Sequence, residues 1–132
     1  MRDFSNQSLK QSAKKSSSYN CFSLIGHLFA SRNLAHILHL NSTSYAEHKA
    51  LNSYYDSLLD LTDDLAETYI GIYGRGAITI PVLKDTNMVS HLKDLRSEVV
   101  EHREYISETN LQNMLDEILT LIDKTNYLLT LK

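Results

Sequence analysis

Three histidines, His36, His39 and His48, stand close together in the chain. His36 and His39 are three apart, so a helix places them on one face, and His48 follows across a short break. Neutral imidazole is a common ligand for iron, copper and zinc. The same residues would serve equally well as hydrogen-bonded histidines at a packed surface. A second group is acidic. Asp56, Asp60, Asp63 and Glu67 recur at steps of three and four, with no Lys or Arg anywhere from Leu51 to Ile72. Like charges at that spacing destabilise a helix by tenths of a kcal/mol per pair. Such a ladder calls for cations, a basic partner or full solvation. A third, weaker pair is Glu98 with His102, four apart and next to Glu101.

Several chemistries are excluded. A diiron centre inside a helical bundle draws on Glu-x-x-His pairs from two helices and further glutamates from the others. This chain has no such pair, and its first helical stretch carries no carboxylate. There is no Gly-rich phosphate loop, nucleophile elbow or zincin helix. The one cysteine, Cys21, rules out an internal disulfide framework and a cysteine-based zinc site, and is expected to pack near a helix start. The tyrosines are expected mainly at seams and rims, because stacking on nucleic acid needs basic neighbours that are sparse around them.

The elements that must position these groups are helical. The chain has 132 residues, 42% of them hydrophobic and 22% charged, with a net charge of −3. That suits one domain with a real core, and neither a disordered acidic chain nor a basic nucleic-acid coat. Only 4 Gly and 1 Pro are present, too few turn formers for a sandwich or barrel. No apolar run is long enough to span a bilayer. Cys21–Ala30, although apolar, is interrupted by His27 and reads as a helix start rather than a targeting segment.

Four helices follow from the periodicity. The first covers about 21–40, with Leu24, Leu28, Leu34, Ala35 and Leu38 as its stripe. The second starts after an N-cap at Ser44, with Glu47 completing a capping box, and ends at Gly74 and Gly76. Its seam is His48, Leu51, Tyr55, Leu58, Thr62, Leu65, Tyr69 and Ile72. The third covers about 86–106 and the fourth about 110–131, the latter with a capping box of Thr109 and Gln112. Short, long and short connections describe an all-α, ferritin-like four-helix bundle with one long crossover between the second and third helices. Residues 1–20 form a separate Ser-rich tail. Its four cations, Arg2, Lys10, Lys14 and Lys15, face one anion, Asp3, while residues 44–67 hold six carboxylates against Lys49. The tail cannot bury enough surface to fold alone. Its charge suits weak, sequence-independent contact with DNA phosphates.

A resemblance ties these features together. His39-Leu-Asn, Tyr45-Ala-Glu-His48, Asp63-Asp-Leu-Ala-Glu67 and Tyr73-Gly-Arg-Gly76 resemble the first half of Dps proteins, the ferritin-like DNA-protection proteins of starved bacteria. Ser44–Leu51 resembles, more closely, an uncharacterised family of small Dps-like proteins of tailed bacteriophages. The likeness covers about residues 22–131. It implies an iron site at a two-fold interface of a homo-oligomer, with His39 and His48 from one copy and Asp63 and Glu67 from the other. It also implies an N-terminal arm that binds DNA, and a place in the cytoplasm of a bacterium or an infected host, or in a virion. Asn52 replaces the acidic ligand the family has four residues after the second His, the His39–His48 interval is shorter than usual, and Leu40 stands where a Trp is usual. The other reading is a non-enzymatic phage protein that uses the bundle for assembly or for contact with a host target.

Overall fold

The computed structural model describes residues 19–131. Among them lie four helices, α1 (Phe22–Asn41), α2 (Tyr45–Tyr73), α3 (Met88–Tyr105) and α4 (Thr109–Leu128), and no strand. Each expected helix is present, displaced by a few residues at its ends. The tail cations Arg2, Lys10, Lys14 and Lys15 lie outside the described residues.

Local chemistry explains the ends. Ser44 caps α2 by accepting from the Glu47 N–H at 3.2 Å. The reciprocal arm of the expected capping box does not form. The Ser42 hydroxyl takes the Ser44 N–H at 3.1 Å and itself donates to Glu47 at 2.5 Å. Gly74 closes α2 with φ of 91°, a conformation that a Cβ would strain, and its N–H reaches the Ile70 carbonyl at 2.8 Å. Asn87 caps α3 through the Ser90 N–H at 3.0 Å. The expected cap at Thr109 is corrected: α4 begins one residue earlier, with Glu108 at the N-cap position and no side-chain bond to the helix. Gln112 turns instead to the Ile106 carbonyl at 2.8 Å and braces the α3–α4 turn.

Helix directions follow from side-chain pairs. His27 meets Glu98 and Ser31 meets His91, so α1 and α3 are antiparallel. Arg103–Asp116 and Arg96–Asp123, each at 2.7 Å, make α3 and α4 antiparallel. Tyr73 reaches Glu108 across the α2–α4 pair. Helix α1 packs on α2 and α3, and α4 packs on the same two. Helices α2 and α3 are therefore diagonal and point the same way. The core between them holds fully buried Leu24, Leu28, Leu51, Leu58, Leu65, Leu92, Leu111, Leu115, Ile118 and Ile122. Each buried aliphatic side chain contributes about 1.5–3 kcal/mol.

The chain returns from α2 to α3 across the face of α1. Gly76 lies against the Phe22 ring, and the Thr79 carbonyl and Pro81 ring lie against Gly26. A Cβ at Gly26 would collide with that carbonyl, so glycine is required for the approach. Gly71, on the exposed side of α2, has open space around it. Gly26→Ala is expected to lower the unfolding free energy by roughly 1–3 kcal/mol through overpacking. Gly71→Ala is expected to raise it by about 0.5–1 kcal/mol through helix propensity. Urea titrations of both variants check this contrast.

Candidate functional site

Helices α1 and α2 meet at a hairpin that carries the histidine cluster. Helix α2 has 29 residues against 18 and 20 for α3 and α4, so this end overhangs the other pair. His39 is buried and His48 half-buried. Each locks the other's turn. His39 Nδ1 lies 2.7 Å from the His48 carbonyl, and His48 Nδ1 lies 2.9 Å from the His39 carbonyl. A carbonyl only accepts, so both Nδ1 atoms carry hydrogen, and the lone pair of each neutral ring sits on Nε2. The two rings stack at 3.7 Å between centroids with planes 19° apart. His36 stacks on Tyr55 at 4.1 Å and turns its ring to His39 at 6.0 Å. The Arg32 guanidinium lies 5.2 Å from the Tyr55 centroid.

The carboxylates of the expected site stand elsewhere. Asp63 and Glu67 are exposed on α2. At 1.5 Å per residue they lie roughly 22 and 28 Å along the helix from His48. Asp56, Asp60 and Asp64 are also exposed, and none of the five forms an ion pair among the described residues. Asn52 is half-buried between the two groups. Among the described residues, no three His, Cys, Asp or Glu side chains gather closely enough to hold a metal. One chain thus brings His39 and His48 together and keeps Asp63 and Glu67 apart from them.

A polar chain that sequence reasoning missed runs through the core. The Tyr54 hydroxyl lies 2.7 Å from Ser31 Oγ, which lies 2.7 Å from His91 Nε2. The order Tyr54 to Ser31 to His91 gives both hydroxyl protons an acceptor. It leaves His91 Nδ1–H directed away from the chain. Burial pushes the His91 pKa down, against the raising influence of Asp85 and Asp94. Ser31 is fully buried, so this Ser–His contact is a structural tie and has no path for a substrate. Beside it, a cleft of about 210 Å³ is lined by His27, Leu83, Asp85, His91, Asp94 and Glu98. His27 Nδ1 meets Glu98 at 2.7 Å, and His102 Nε2 lies 3.8 Å from the same carboxylate. Tyr19 closes this network on His102 Nδ1 at 2.9 Å. Burial also pushes the His102 pKa down, despite Glu98 and Glu101. Only the Glu98–His102 spacing was visible in the sequence; Ser31, Tyr54 and His91 belong to three helices and share no motif. Cys21, expected near a helix start, is the buried N-cap of α1, its thiol pushed up to about 12 by burial.

A family model described as a family of unknown function, DUF5856, matches residues 39–129. The chain belongs to that family. It is also similar to an uncharacterised 14.6 kDa protein from the mobD-ri intergenic region of Enterobacteria phage T4, with 28% identity over 116 residues, covering 82% of this chain and 86% of the phage protein. No solved structure matches. The DUF5856 match starts at His39 and takes in His48, Asp63, Glu67, His91 and His102, while His27 and Ser31 lie before it.

The depressed histidines set a pH dependence. A histidine whose folded pKa lies below its unfolded value binds its proton more readily in the unfolded chain. It therefore weakens the fold as pH falls through about 6.5, the unfolded value, and has no such effect well above it. The DUF5856 chain is expected to lose stability between pH 7.5 and 5.5. His91→Gln should reduce that loss while lowering stability at pH 7.5. Urea midpoints at both pH values check it.

Proposed function

We propose that this protein is a Dps-like, ferritin-like oligomer that takes iron as cargo between copies. In this reading His39 and His48 of one copy face Asp63 and Glu67 of another across a two-fold axis. The observation that carries it is the pair of Nδ1 bonds to backbone carbonyls. Metal-binding histidines commonly commit one ring nitrogen to such an acceptor, which orients the ring and frees the other nitrogen. Both Nε2 lone pairs are therefore offered. The carboxylates on α2, which form no ion pair among the described residues, suit a cationic counterpart. The tail, with Arg2, Lys10, Lys14 and Lys15, adds non-specific DNA contact in the cytoplasm of a bacterium or infected host.

A second reading, a non-enzymatic phage protein used in assembly, in a virion or on a host target, is favoured by the stacking. Rings 3.7 Å apart in planes only 19° apart lie face to face, and in-plane lone pairs of near-parallel rings do not converge on one ion. Iron binding then requires one ring to tilt; the assembly reading requires nothing. Similarity to a phage protein is compatible with both.

Anaerobic Fe²⁺ titration of the pure protein separates the two. The iron reading expects binding that is lost in His48→Ala and in Glu67→Ala without loss of helicity. It also expects tighter binding in Asn52→Asp, which adds a negative ligand beside the pair. Equal binding by the parent and the His48→Ala/Glu67→Ala double variant removes the iron reading. Deleting residues 2–18 should abolish a gel shift with duplex DNA and leave the bundle folded.

A further inference from the structure

The cleft between α1 and α3 holds groups that the iron reading does not use. Its volume is about 210 Å³, and its polar lining is His27 of α1, Lys84 and Asp85 of the linker, and His91, Asp94 and Glu98 of α3. The deciding group is His91. It is only 6% exposed, and Nε2 makes its one hydrogen bond, to Ser31 Oγ at 2.7 Å. Nδ1 has no hydrogen-bond partner among the described residues, yet it is not sealed from solvent as the unsatisfied Arg32 Nε and Thr62 Oγ1 are. The small surface that His91 keeps therefore includes Nδ1, and that surface lines the cleft.

The core decides what Nδ1 carries. Tyr54 and Ser31 are fully buried, and the Tyr54 hydroxyl meets only Ser31 Oγ. Its hydrogen must go there, because a buried hydroxyl hydrogen without an acceptor is costly. Ser31 then gives its own hydrogen to His91 Nε2, and the neutral ring keeps its hydrogen on Nδ1. Burial favours that neutral ring near pH 7. The buried line thus presents an N–H donor to the cleft, and a donor cannot ligate a metal ion. Around this donor the cleft is anionic, with three carboxylates against the single ammonium of Lys84. Asp85 accepts from the Asn87 N–H at 2.9 Å and Glu98 from His27 Nδ1 at 2.7 Å. Asp94 has no hydrogen bond or ion pair among the described residues. Asp85 and Asp94 act on His91 electrostatically, but neither bonds to it.

We propose that this cleft binds a small protonated amino alcohol, with its ammonium group at the Asp94 carboxylate and its hydroxyl oxygen on the His91 Nδ1–H. A bare cation leaves the buried donor unanswered. A neutral alcohol leaves the carboxylates unanswered, and they repel an anion. The volume is that of several waters, enough for a ligand of a few non-hydrogen atoms. The inference does not rest on the iron reading, since His39, His48, Asp63 and Glu67 take no part.

Titration of the full, metal-free chain with 3-aminopropanol near pH 7 tests it, read by NMR of the histidine ring nitrogens. The His91 signals are those missing in His91→Gln. The free protein is expected to show the His91 hydrogen on Nδ1. The probe should shift that signal and saturate, with a dissociation constant on the order of 1 mM or below. Asp94→Asn should weaken binding roughly three- to tenfold, whereas Glu117→Gln, exposed on α4, should leave it unchanged. Propylammonium and n-propanol each lack one of the two groups and should bind at least about threefold more weakly. Tyr54→Phe leaves the cleft lining intact but removes the donor that fixes Ser31, whose hydroxyl can then turn to its own helix. A mixture of His91 tautomers and weaker binding are expected. Circular dichroism confirms that each variant is folded. The same titration in the His48→Ala/Glu67→Ala background separates this inference from the iron reading. It is overturned if His91 carries its hydrogen on Nε2, if the probe does not saturate, or if propylammonium binds as tightly as the probe. Parent-like binding by Asp94→Asn, or an unchanged tautomer and affinity in Tyr54→Phe, overturns it too.

Discussion

The structure depends on a constraint of direction. Helices α2 and α3 point the same way, so the chain leaving one must travel back before it can start the other. That return needs a lane, and the lane is the face of α1 at Gly26. The absent side chain lets the linker backbone touch the helix. With the linker in place, α3 can lie antiparallel to α1, and α4 can fill the remaining corner between α2 and α3. The cost is a stretch of backbone, residues 75–86, with no backbone–backbone hydrogen bond among the described residues.

Helix α1 is consequently the hub. It touches α2, α3 and the linker, and the buried polar chain passes through it. Tyr54 of α2, Ser31 of α1 and His91 of α3 form one line of hydrogen bonds inside an otherwise aliphatic core. Buried hydroxyls without partners are costly, so this line favours one alignment of the three helices over slipped ones. The α3–α4 ion pairs differ in kind. Their side chains are between 39% and 51% exposed, so solvent screens them and each contributes under about 1 kcal/mol.

The histidine hairpin and the acidic face of α2 are separate features of a single chain. His39 and His48 exchange Nδ1 bonds with each other's carbonyls and so close the turn without any ligand. Asp63 and Glu67 make no use of that arrangement. Whatever neutralises the acidic face is not a described cation of the same chain. The two groups of residues are not joined into one site among the described residues of a single chain.

The sequence by itself determined the helices and their breaks. The 3.6-residue repeat of Leu51, Leu58 and Leu65 demands a buried stripe, and Gly74 stops a helix through local backbone chemistry. It also marked His36, His39 and His48 as a group, because their separation is short enough for one hairpin to bring them together. Finer caps were less legible. Ser42 and Glu108 displaced the expected partners through contacts that a local pattern does not encode. Tertiary structure alone decided that Ser31, Tyr54 and His91 meet, since their spacing of tens of residues carries no periodic signal. It also decided that Gly26 is a contact surface for the linker and that Ile78, Ile80 and Val82 face outward. The physical reason is that local hydrogen bonding and burial periodicity act within a few turns of helix, whereas the path of a connection is chosen by which helix faces are left to cover.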